Sequence, residues 1–154
     1  MERHRIERQR ALAHDLGFLL TRASNIVVRS VNESLAPLGL RVRLYTVLSL
    51  ACDEPAGIPQ RQVASDMGLD PSQIVALIDE LEARDLVTRT PDPSDRRNKL
   101  IVATAAGREL CEDARQRSEA TSARHFAGAD PTLLSELRAC LVRMAFPEPV
   151  DAAE

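Results

Sequence analysis

The stretch that decides the fold runs from Gln60 to Thr104 and reads QRQVASDMGLDPSQIVALIDELEARDLVTRTPDPSDRRNKLIVAT. Its first residues have the apolar spacing of a short helix that ends at Met67, and Gly68 suits the left-handed position that follows such a helix. A second helix follows, in which apolar residues at helical spacing form a stripe that we expect to be buried: Ile74, Leu77, Ile78 and Leu81. Two short helices joined by a tight turn that contains Gly predict a helix-turn-helix.

Both helices carry start signals. We expect Ile58 and Pro59 to open the first helix. At the second helix, Asp70 can accept hydrogen bonds from free N–H groups, Pro71 suits the first helical position, and Gln73 can close a capping box. These residues predict that the second helix begins directly after Asp70.

The hydrophobic period changes after Asp85. Two runs, Leu86–Thr90 and Lys99–Ala103, have the composition of short strands, and the polar stretch Pro91–Asn98 between them is interrupted by proline. This pattern predicts a β-hairpin beside the helix-turn-helix, which is a wing.

Further helices are predicted on both sides of this region. Apolar residues at steps of three and four indicate one long amphipathic helix over Ala11–Ala36 and a second helix over Val42–Ala51. Behind the wing, Thr104 is a cap for a helix that extends to about His125. Asp130, followed by proline, starts a last helix over Thr132–Ala145.

Composition and motif content exclude several classes of protein. A chain of 154 residues with 44% hydrophobic and 28% charged residues is a globular domain with its own core. Its three cysteines and three histidines lack the spacing of a disulfide framework or a metal site, so we expect no metal and no cofactor. No Gly-rich phosphate loop or hydrolase motif is present, which argues against an enzyme. Neither a membrane span nor a signal sequence is visible, so we expect a cytosolic protein that does not contact membranes.

The stretch Arg84–Gly107 combines a strand, the tip DPSDRR, a second strand and a helix start with Thr104 and Gly107 in a TxxG pattern. This ordered combination, together with the helices around it, resembles the MarR family of winged-helix transcription regulators over nearly the whole chain. The resemblance implies a DNA-binding repressor of its own or adjacent genes. It also implies release from DNA by a small, often anionic or phenolic ligand, or by oxidation of cysteine.

One face of the second helix is a candidate for reading DNA bases. Because the buried stripe fixes the helix orientation, Ser72, Gln73, Val75, Ala76 and Asp79 must point away from the core. The first two lie in the first turn, where recognition helices contact base edges. A glutamine can pair with adenine through two hydrogen bonds, and small aliphatic side chains can pack on thymine methyl groups. The alternative is an ordinary exposed helix surface.

Arginines supply the other candidate DNA contacts. An arginine at a hairpin tip can enter a narrow minor groove, and the resemblance implies this role for Arg97, with Asp95 holding its guanidinium and Arg96 on a phosphate. Arg41 and Arg43, at the start of the Val42–Ala51 helix, are weaker candidates for phosphate contacts. The alternative for the wing is a solvated loop with internal salt bridges.

The first helix and the last two have apolar faces that are too extensive for a winged domain alone. Packing them against a second copy would form a two-fold dimer on a pseudo-palindromic operator, whereas an intramolecular bundle is the alternative. The predicted fold is therefore mainly α with a small β-hairpin wing in a single domain. The winged helix-turn-helix covers residues 41–104, dimerisation helices cover 1–38 and 105–146, and an acidic tail covers 147–154.

The resemblance also implies a ligand pocket between the dimerising helices and the winged domain. Phe18, Arg22 and Tyr45 could line it, with Arg22 as the partner of an anion, although the two aromatic residues are also ordinary core candidates.

Two alternative functions stay open. Residues 58–103 carry six basic and eight acidic side chains, so DNA binding must depend on a few well-placed arginines, and a protein-binding winged module without its own operator is a rival. A cysteine-based redox sensor is the other. It needs an activated thiol, but Asp53 and Glu54 should raise the pKa of Cys52, and Cys111 and Cys140 have apolar or mixed neighbours.

Overall fold

The helix-turn-helix and its wing follow one another in the predicted order. The structure is a computed structural model that describes residues 12–95 and 98–147. Arg96, Arg97 and the predictions for residues 1–11 and 148–154 lie outside these residues. The described elements are α1 (Leu16–Leu35), a 3-10 turn (Ala36–Leu38), α2 (Val42–Asp53), β1 (Ile58–Pro59), α3 (Gln60–Met67), α4 (Pro71–Glu82), β2 (Val87–Pro91), β3 (Lys99–Ala103), α5 (Ala105–His125) and α6 (Pro131–Ala145).

The two helices of the helix-turn-helix are α3 and α4. Gly68 ends α3 with a φ of 59°, and the whole predicted stripe of α4 is buried. The predicted capping box does not form, because the Asp70 side chain accepts no hydrogen bond from the helix. The first turn of α4 is exposed to solvent, so its free N–H groups do not need a side-chain acceptor.

The wing is part of a three-stranded antiparallel sheet in the order β1-β3-β2. α3 has the predicted bounds, with Pro59 at its N-cap, but the sequence did not predict that Ile58 pairs with Ile101 of β3 in a two-residue strand. A strand this short has no alternation that a sequence pattern could show. β2 and β3 pair from Val87 with Ala103 to Pro91 with Lys99.

The start of α5 is locked onto the base of the wing. The Thr104 hydroxyl accepts a hydrogen bond from Gly107 N–H at 2.9 Å and donates to the Asp85 carbonyl at 2.7 Å, which confirms its predicted role as a cap. A Cβ on Gly107 would lie 2.0 Å from the Leu86 carbonyl oxygen, so the helix can approach this backbone only with glycine at that position.

The N-terminal helix is shorter than predicted. α1 begins at Leu16 because the Asp15 side chain accepts a hydrogen bond from Phe18 N–H at 3.0 Å and caps the helix there. The prediction of one continuous helix from Ala11 is therefore wrong for residues 13–15. Only Val31 and Leu35 of α1 are buried.

The core sits around α2, which packs against α4 and β3. Its Leu44, Val47 and Leu48 side chains are fully buried against the stripe of α4 and Ile101. The orientation of α4 is therefore set by the best-packed part of the molecule.

The described chain forms two compact units, one up to residue 122 and one from residue 123. In the second unit, the Asp130 side chain caps α6 as predicted, by accepting hydrogen bonds from the N–H groups of Thr132 and Leu133. No residue of α6 is buried. Among the described residues no single helix is long and apolar enough to span a membrane, and α1 and α2 pass that test only as a pair bent by 72°.

Candidate nucleic-acid interface

The outward face of α4 presents the side chains that the sequence predicts to contact DNA bases. Ser72, Gln73, Val75 and Ala76 are all exposed. They cover the first half of a twelve-residue helix, which is the part that enters the major groove in helix-turn-helix proteins. The structure therefore brings these four candidates together on one surface.

The second half of α4 is tied to the wing by Arg89. This β2 residue donates hydrogen bonds from its guanidinium to the carboxylates of Asp79 and Glu82, and its backbone N–H donates to Glu82 at 3.1 Å. The Arg89 side chain is only 20% exposed, so the ion pairs are partly shielded from water. The wing and the recognition helix are consequently held in one fixed relation.

The C-terminal part of α4 is also tied to the turn that follows α1. Arg41 forms a two-pronged ion pair with Glu80, with both N···O distances at 2.8 Å. The hydrogen bond lowers the pKa of the Glu80 carboxyl and raises the pKa of Arg41. Arg84, just beyond α4, donates to the carbonyl oxygens of Gly39 at 2.7 Å and Leu38 at 3.0 Å.

These ion pairs change the meaning of the charge count. Asp79, Glu80 and Glu82 are acidic residues of the recognition helix, yet each is paired with an arginine. Arg89 is already counted among the six basic side chains of residues 58–103, so only Arg41 adds a positive charge from outside that range. The guanidinium of Arg41 is engaged in this way, whereas Arg43 is exposed and forms no ion pair with any residue in the ranges 12–95 and 98–147.

The approach to the wing tip is organised by two aspartates. Asp92 accepts hydrogen bonds from the backbone N–H and the hydroxyl of Ser94, at 2.8 and 2.6 Å, and these bonds lower the pKa of its carboxyl. Asp95 accepts from the Asn98 backbone N–H at 2.9 Å and lies exposed before the tip. The predicted contact between Asp95 and Arg97 involves a residue outside the described part of the chain.

A small cleft beside the loop end of β3 contains two cations that were not among the predicted DNA contacts. It has a volume of about 250 Å³, and Arg61, in the first turn of α3, and Lys99, at the start of β3, are among its lining residues. Neither forms an ion pair with a described residue. The start of a helix beside two cations suits a phosphate. Arg61 and Lys99 come together only because β1 pairs with β3. The sequence pattern could not predict this pairing, because β1 has only two residues.

Of the three residues predicted to line an effector pocket between the dimerising helices and the winged domain, two share a groove, and that groove is lined by α1 alone. Phe18 and Arg22 line a groove of about 510 Å³ along α1, together with Arg29. Tyr45 is not among the lining residues. It is half-buried against the core, and burial raises the pKa of its hydroxyl.

Two cysteines that are far apart in the sequence meet between α2 and α5. Cys52 is half-buried, Cys111 is buried and Cys140 is exposed. Cys111 raises the pKa of the Cys52 thiol, and Cys52 lowers the pKa of the Cys111 thiol. The prediction that the pKa of Cys52 is raised has the right direction. The main cause is Cys111 and not the acidic neighbour, since Asp53 contributes less.

Comparisons with known proteins agree with this architecture. The sequence profile of the MarR family matches residues 43–99. A MarR-family transcriptional regulator from Rhodococcus sp. RHA1 is 53% identical, with 88% of this chain and 95% of that chain covered and a TM-score of 0.84. CouR from Rhodococcus jostii RHA1, solved with p-coumaroyl-CoA, is 51% identical, with 91% and 98% covered and a TM-score of 0.84.

Two further relatives connect the fold to DNA and to gene regulation. A CouR repressor bound to a 23-mer DNA duplex is 30% identical, with 87% of this chain and 94% of that chain covered and a TM-score of 0.79. A putative transcriptional regulatory protein for the hcr operon of Thauera aromatica is 31% identical over 98 residues. These residues make up 63% of this chain and 58% of the length of that protein. The chain belongs to the MarR family of winged-helix, DNA-binding transcription regulators, whose members are not enzymes.

Proposed function

We propose that the protein is a homodimeric transcriptional repressor that binds a pseudo-palindromic operator near its own gene and is released by an anionic aromatic effector. The observation that carries the proposal is the exposed face of α4, with Ser72, Gln73, Val75 and Ala76, on a helix held to the wing by Arg89. Because α4 is held rigidly in this way, it needs no reorganisation before it enters the major groove.

The contacts to DNA divide into two kinds. Residues on the outward face of α4 read bases, with Gln73 on adenine and Val75 and Ala76 against thymine methyl groups. Arg97 enters the minor groove with support from Asp95, and Arg96 contacts a phosphate. The remaining phosphate contacts come from the following cations: Arg61, Lys99 and Arg43, with Arg41 a weaker candidate because it is paired with Glu80.

Homodimer formation is supported by apolar side chains that the described chain leaves uncovered. α1 exposes Leu16, Leu19 and Leu20, and Leu16 is 82% exposed. α6 exposes a second set: Leu133, Leu137, Leu141, Val142 and Met144. A second copy covers such faces at the lowest cost, because a two-fold axis pairs each surface with its own equivalent. Two recognition helices one DNA turn apart would then contact the two half-sites.

The effector class follows from the groove on α1. Arg22 and Arg29 are seven residues apart, so both lie on one face of the helix, and Phe18 and Ile26 supply apolar surface beside them. Two guanidinium groups and an aromatic contact suit a ligand with an aromatic acyl group and phosphates. CouR, at 51% identity, was solved with such a molecule, p-coumaroyl-CoA. We therefore propose an aromatic acyl-CoA thioester as the effector.

Fluorescence anisotropy on the DNA directly upstream of the gene tests the proposal, with random-sequence DNA of equal length as the control. We expect saturable binding of one dimer per site that weakens as salt rises. Absence of binding above the random DNA would favour a protein-binding module instead. The repressor assignment itself is tested by transcription from this promoter in vitro, which should fall when the protein is added.

The effector is tested by titrating p-coumaroyl-CoA into the operator complex, with CoA and p-coumarate as separate controls. The thioester should release the DNA at a lower concentration than either part alone, because only the thioester can contact both the apolar side chains and the arginines of the groove. Arg22→Gln should raise the concentration needed, whereas Arg117→Gln should not, since Arg117 is paired with Asp113 on α5. Equal responses of the two variants would place the effector elsewhere.

A further inference from the structure

The turn that joins α1 to α2, residues 36–41, is fastened to the C-terminal end of α4. Leu38 ends the 3-10 turn, and Gly39 follows it with a φ of 64°. The carbonyl groups at the end of such a turn have no partner within the turn itself. The Arg84 guanidinium satisfies both, by donating to the Gly39 oxygen at 2.7 Å and to the Leu38 oxygen at 3.0 Å. One planar side chain therefore fixes two successive carbonyl groups of the turn.

A second tie joins the same two parts of the chain. Arg41, at the N-cap of α2, pairs with Glu80 of α4 through two N···O contacts of 2.8 Å. The hydrogen bond with Arg41 lowers the pKa of the Glu80 carboxyl, and the charge of Arg84 lowers it further, so the two ties lie close together. We call the three side chains of Arg41, Glu80 and Arg84 the clasp.

The direction of α1 depends on this turn. Only Val31 and Leu35 of α1 are buried, and both lie near its C-terminal end. Apolar packing is non-directional, so these contacts alone do not fix the angle of a long helix. At about 1.5 Å per residue, the stretch from Leu16 to Val31 extends for about 22 Å. A change of about 10° at the turn would therefore move Leu16 by about 4 Å, which is close to the rise of about 3.4 Å between base pairs.

We propose that the clasp, chiefly through Arg84, sets the angle between α1 and the recognition helix and thereby the half-site spacing that the dimer accepts. The inference rests on the proposed function, since it needs α1 at the dimer surface and α4 on DNA. When α1 of each copy is held by the other copy, the angle at the turn determines how far apart the two α4 helices lie. Arg84 is thus a positioning residue, whose role requires no contact with DNA.

The variant Arg84→Lys tests the clasp without changing the charge. A lysine ammonium cannot hold two carbonyl groups in the planar arrangement that a guanidinium provides. Arg84 is exposed, so the substitution leaves the buried core intact. Arg115→Lys is the matched control, because Arg115 ties α5 to α2 through an ion pair with Asp53 at 2.9 Å, in which neither α4 nor the turn takes part. Urea denaturation should show both variants folded, with stabilities close to that of the wild type.

Half-site spacing is read by selecting bound sequences from a random library of DNA duplexes with each of the three proteins. We expect the same half-site sequence from all three, because the outward face of α4 is unchanged. Wild type and Arg115→Lys should select one spacing, and Arg84→Lys should also select spacings that are one base pair longer and shorter. In anisotropy titrations, a shift of one base pair should weaken wild-type binding about tenfold or more. For Arg84→Lys this penalty should be smaller by about threefold or more.

Three results would overturn the clasp as the determinant of spacing. The first is a single spacing for Arg84→Lys that equals that of the wild type. The second is an equal loss of affinity at every spacing and on an isolated half-site, which is the pattern of a purely structural residue. The third is equal broadening by Arg115→Lys. In all three cases the paired half-sites selected by the wild type leave the proposed function intact, whereas a wild type that selects no paired half-sites refutes the proposed function and this inference together.

Discussion

Two helices with similar sequence patterns, α4 and α1, have opposite environments. Both show apolar residues at steps of three and four. In α4 the whole apolar stripe is buried, including Ile78 with no exposed surface. In α1 most of the stripe is exposed, and only Val31 and Leu35 are covered. An amphipathic pattern thus predicts a helix and the face that needs cover, but it does not tell which part of the chain, or which partner, supplies that cover.

The difference follows from what surrounds each helix. α4 packs against α2, α3 and β2, so its stripe is covered by the chain itself. α1 packs only against α2 and against the 3-10 turn (Ala36–Leu38) that follows α1, among the pairs of elements with several contacts. The exposed remainder of α1 is the surface that we assign to a second copy, and the groove with Arg22 and Arg29 lies on the same helix.

The largest expected effect is loss of stability from a core position of α4. Ile78→Ala should lower the free energy of unfolding by about 2–5 kcal/mol, because it leaves a cavity in a well-packed core. Val75→Ala, on the exposed face of the same helix, should change it by about 0.5 kcal/mol or less. Urea denaturation at equal protein concentrations measures both. Similar losses for the two variants would mean that the outward face of α4 is covered after all.

The matching substitution on α1 should act on assembly. Leu16→Asp places a charge on the face assigned to the second copy, and we expect a monomer in sedimentation. Operator affinity should fall by about 100-fold or more, since the two half-sites can no longer be bound together. Thr21→Asp adds the same charge on the same helix, at a residue that lines the groove we assign to the effector. Comparing the two variants separates an effect of the charge on the dimer surface from an effect on the groove. A dimeric Leu16→Asp protein would refute the assignment.

Local patterns predicted the helix-turn-helix and the wing well, because they depend on short-range signals. The stripe of α4, the glycine after α3 and the cap at Thr104 are all encoded within a few residues. The sequence could not show which distant residues pair with them. Arg89 with Asp79, Arg84 with the carbonyl of Gly39, and Cys52 with Cys111 join elements that only the tertiary fold brings together.

The same limit explains the errors at the ends of elements. The helical spacing of apolar residues continues on both sides of Asp15, but the helix begins only after this residue. The reason is that the Asp15 side chain caps the helix by accepting a hydrogen bond from Phe18 N–H. Asp70 lies at the N-cap position of α4, as predicted, but its side chain accepts no hydrogen bond there. The prediction of the effector site came from a resemblance, and it combined residues that lie in different places. Phe18 and Arg22 share a groove, whereas Tyr45 packs against the core.

A smaller effect is expected from the base-reading surface of α4. Gln73→Ala should cost about 1–3 kcal/mol of operator binding if the side chain pairs with adenine, and should leave binding to random DNA unchanged. Arg61→Ala should weaken binding to both DNAs and reduce the salt slope by about one. Anisotropy titrations at several salt concentrations separate the two patterns. Equal losses on operator and random DNA for Gln73→Ala would remove it from base reading.

The link between α4 and the wing should have a modest effect on stability. Arg89→Ala removes the partner of both Asp79 and Glu82 and should cost about 1 kcal/mol, because the two carboxylates are partly exposed and water compensates for part of the loss. Operator affinity should fall more than stability suggests, since the wing loses its fixed position. Arg89→Lys keeps the charge without the planar geometry, and it should recover stability better than affinity. Recovery of both by lysine would show that charge alone matters.

The smallest effect is expected from the Arg41–Glu80 pair, which holds α4 on the opposite side from the wing. Because the pKa of Glu80 is lower in the folded chain than in the unfolded one, the pair adds stability above the unfolded value of about 4.3, and this is lost as pH falls through the folded pKa. With the Glu80 side chain 41% exposed, the contribution should be about 0.5 kcal/mol. Denaturation of wild type and Glu80→Gln should differ at pH 7 and converge as the pH falls through the folded pKa of Glu80, with Glu109→Gln on α5 as the control. A difference that persists throughout the acidic range would mean that packing of the Glu80 side chain, and not its charge, holds this end of α4.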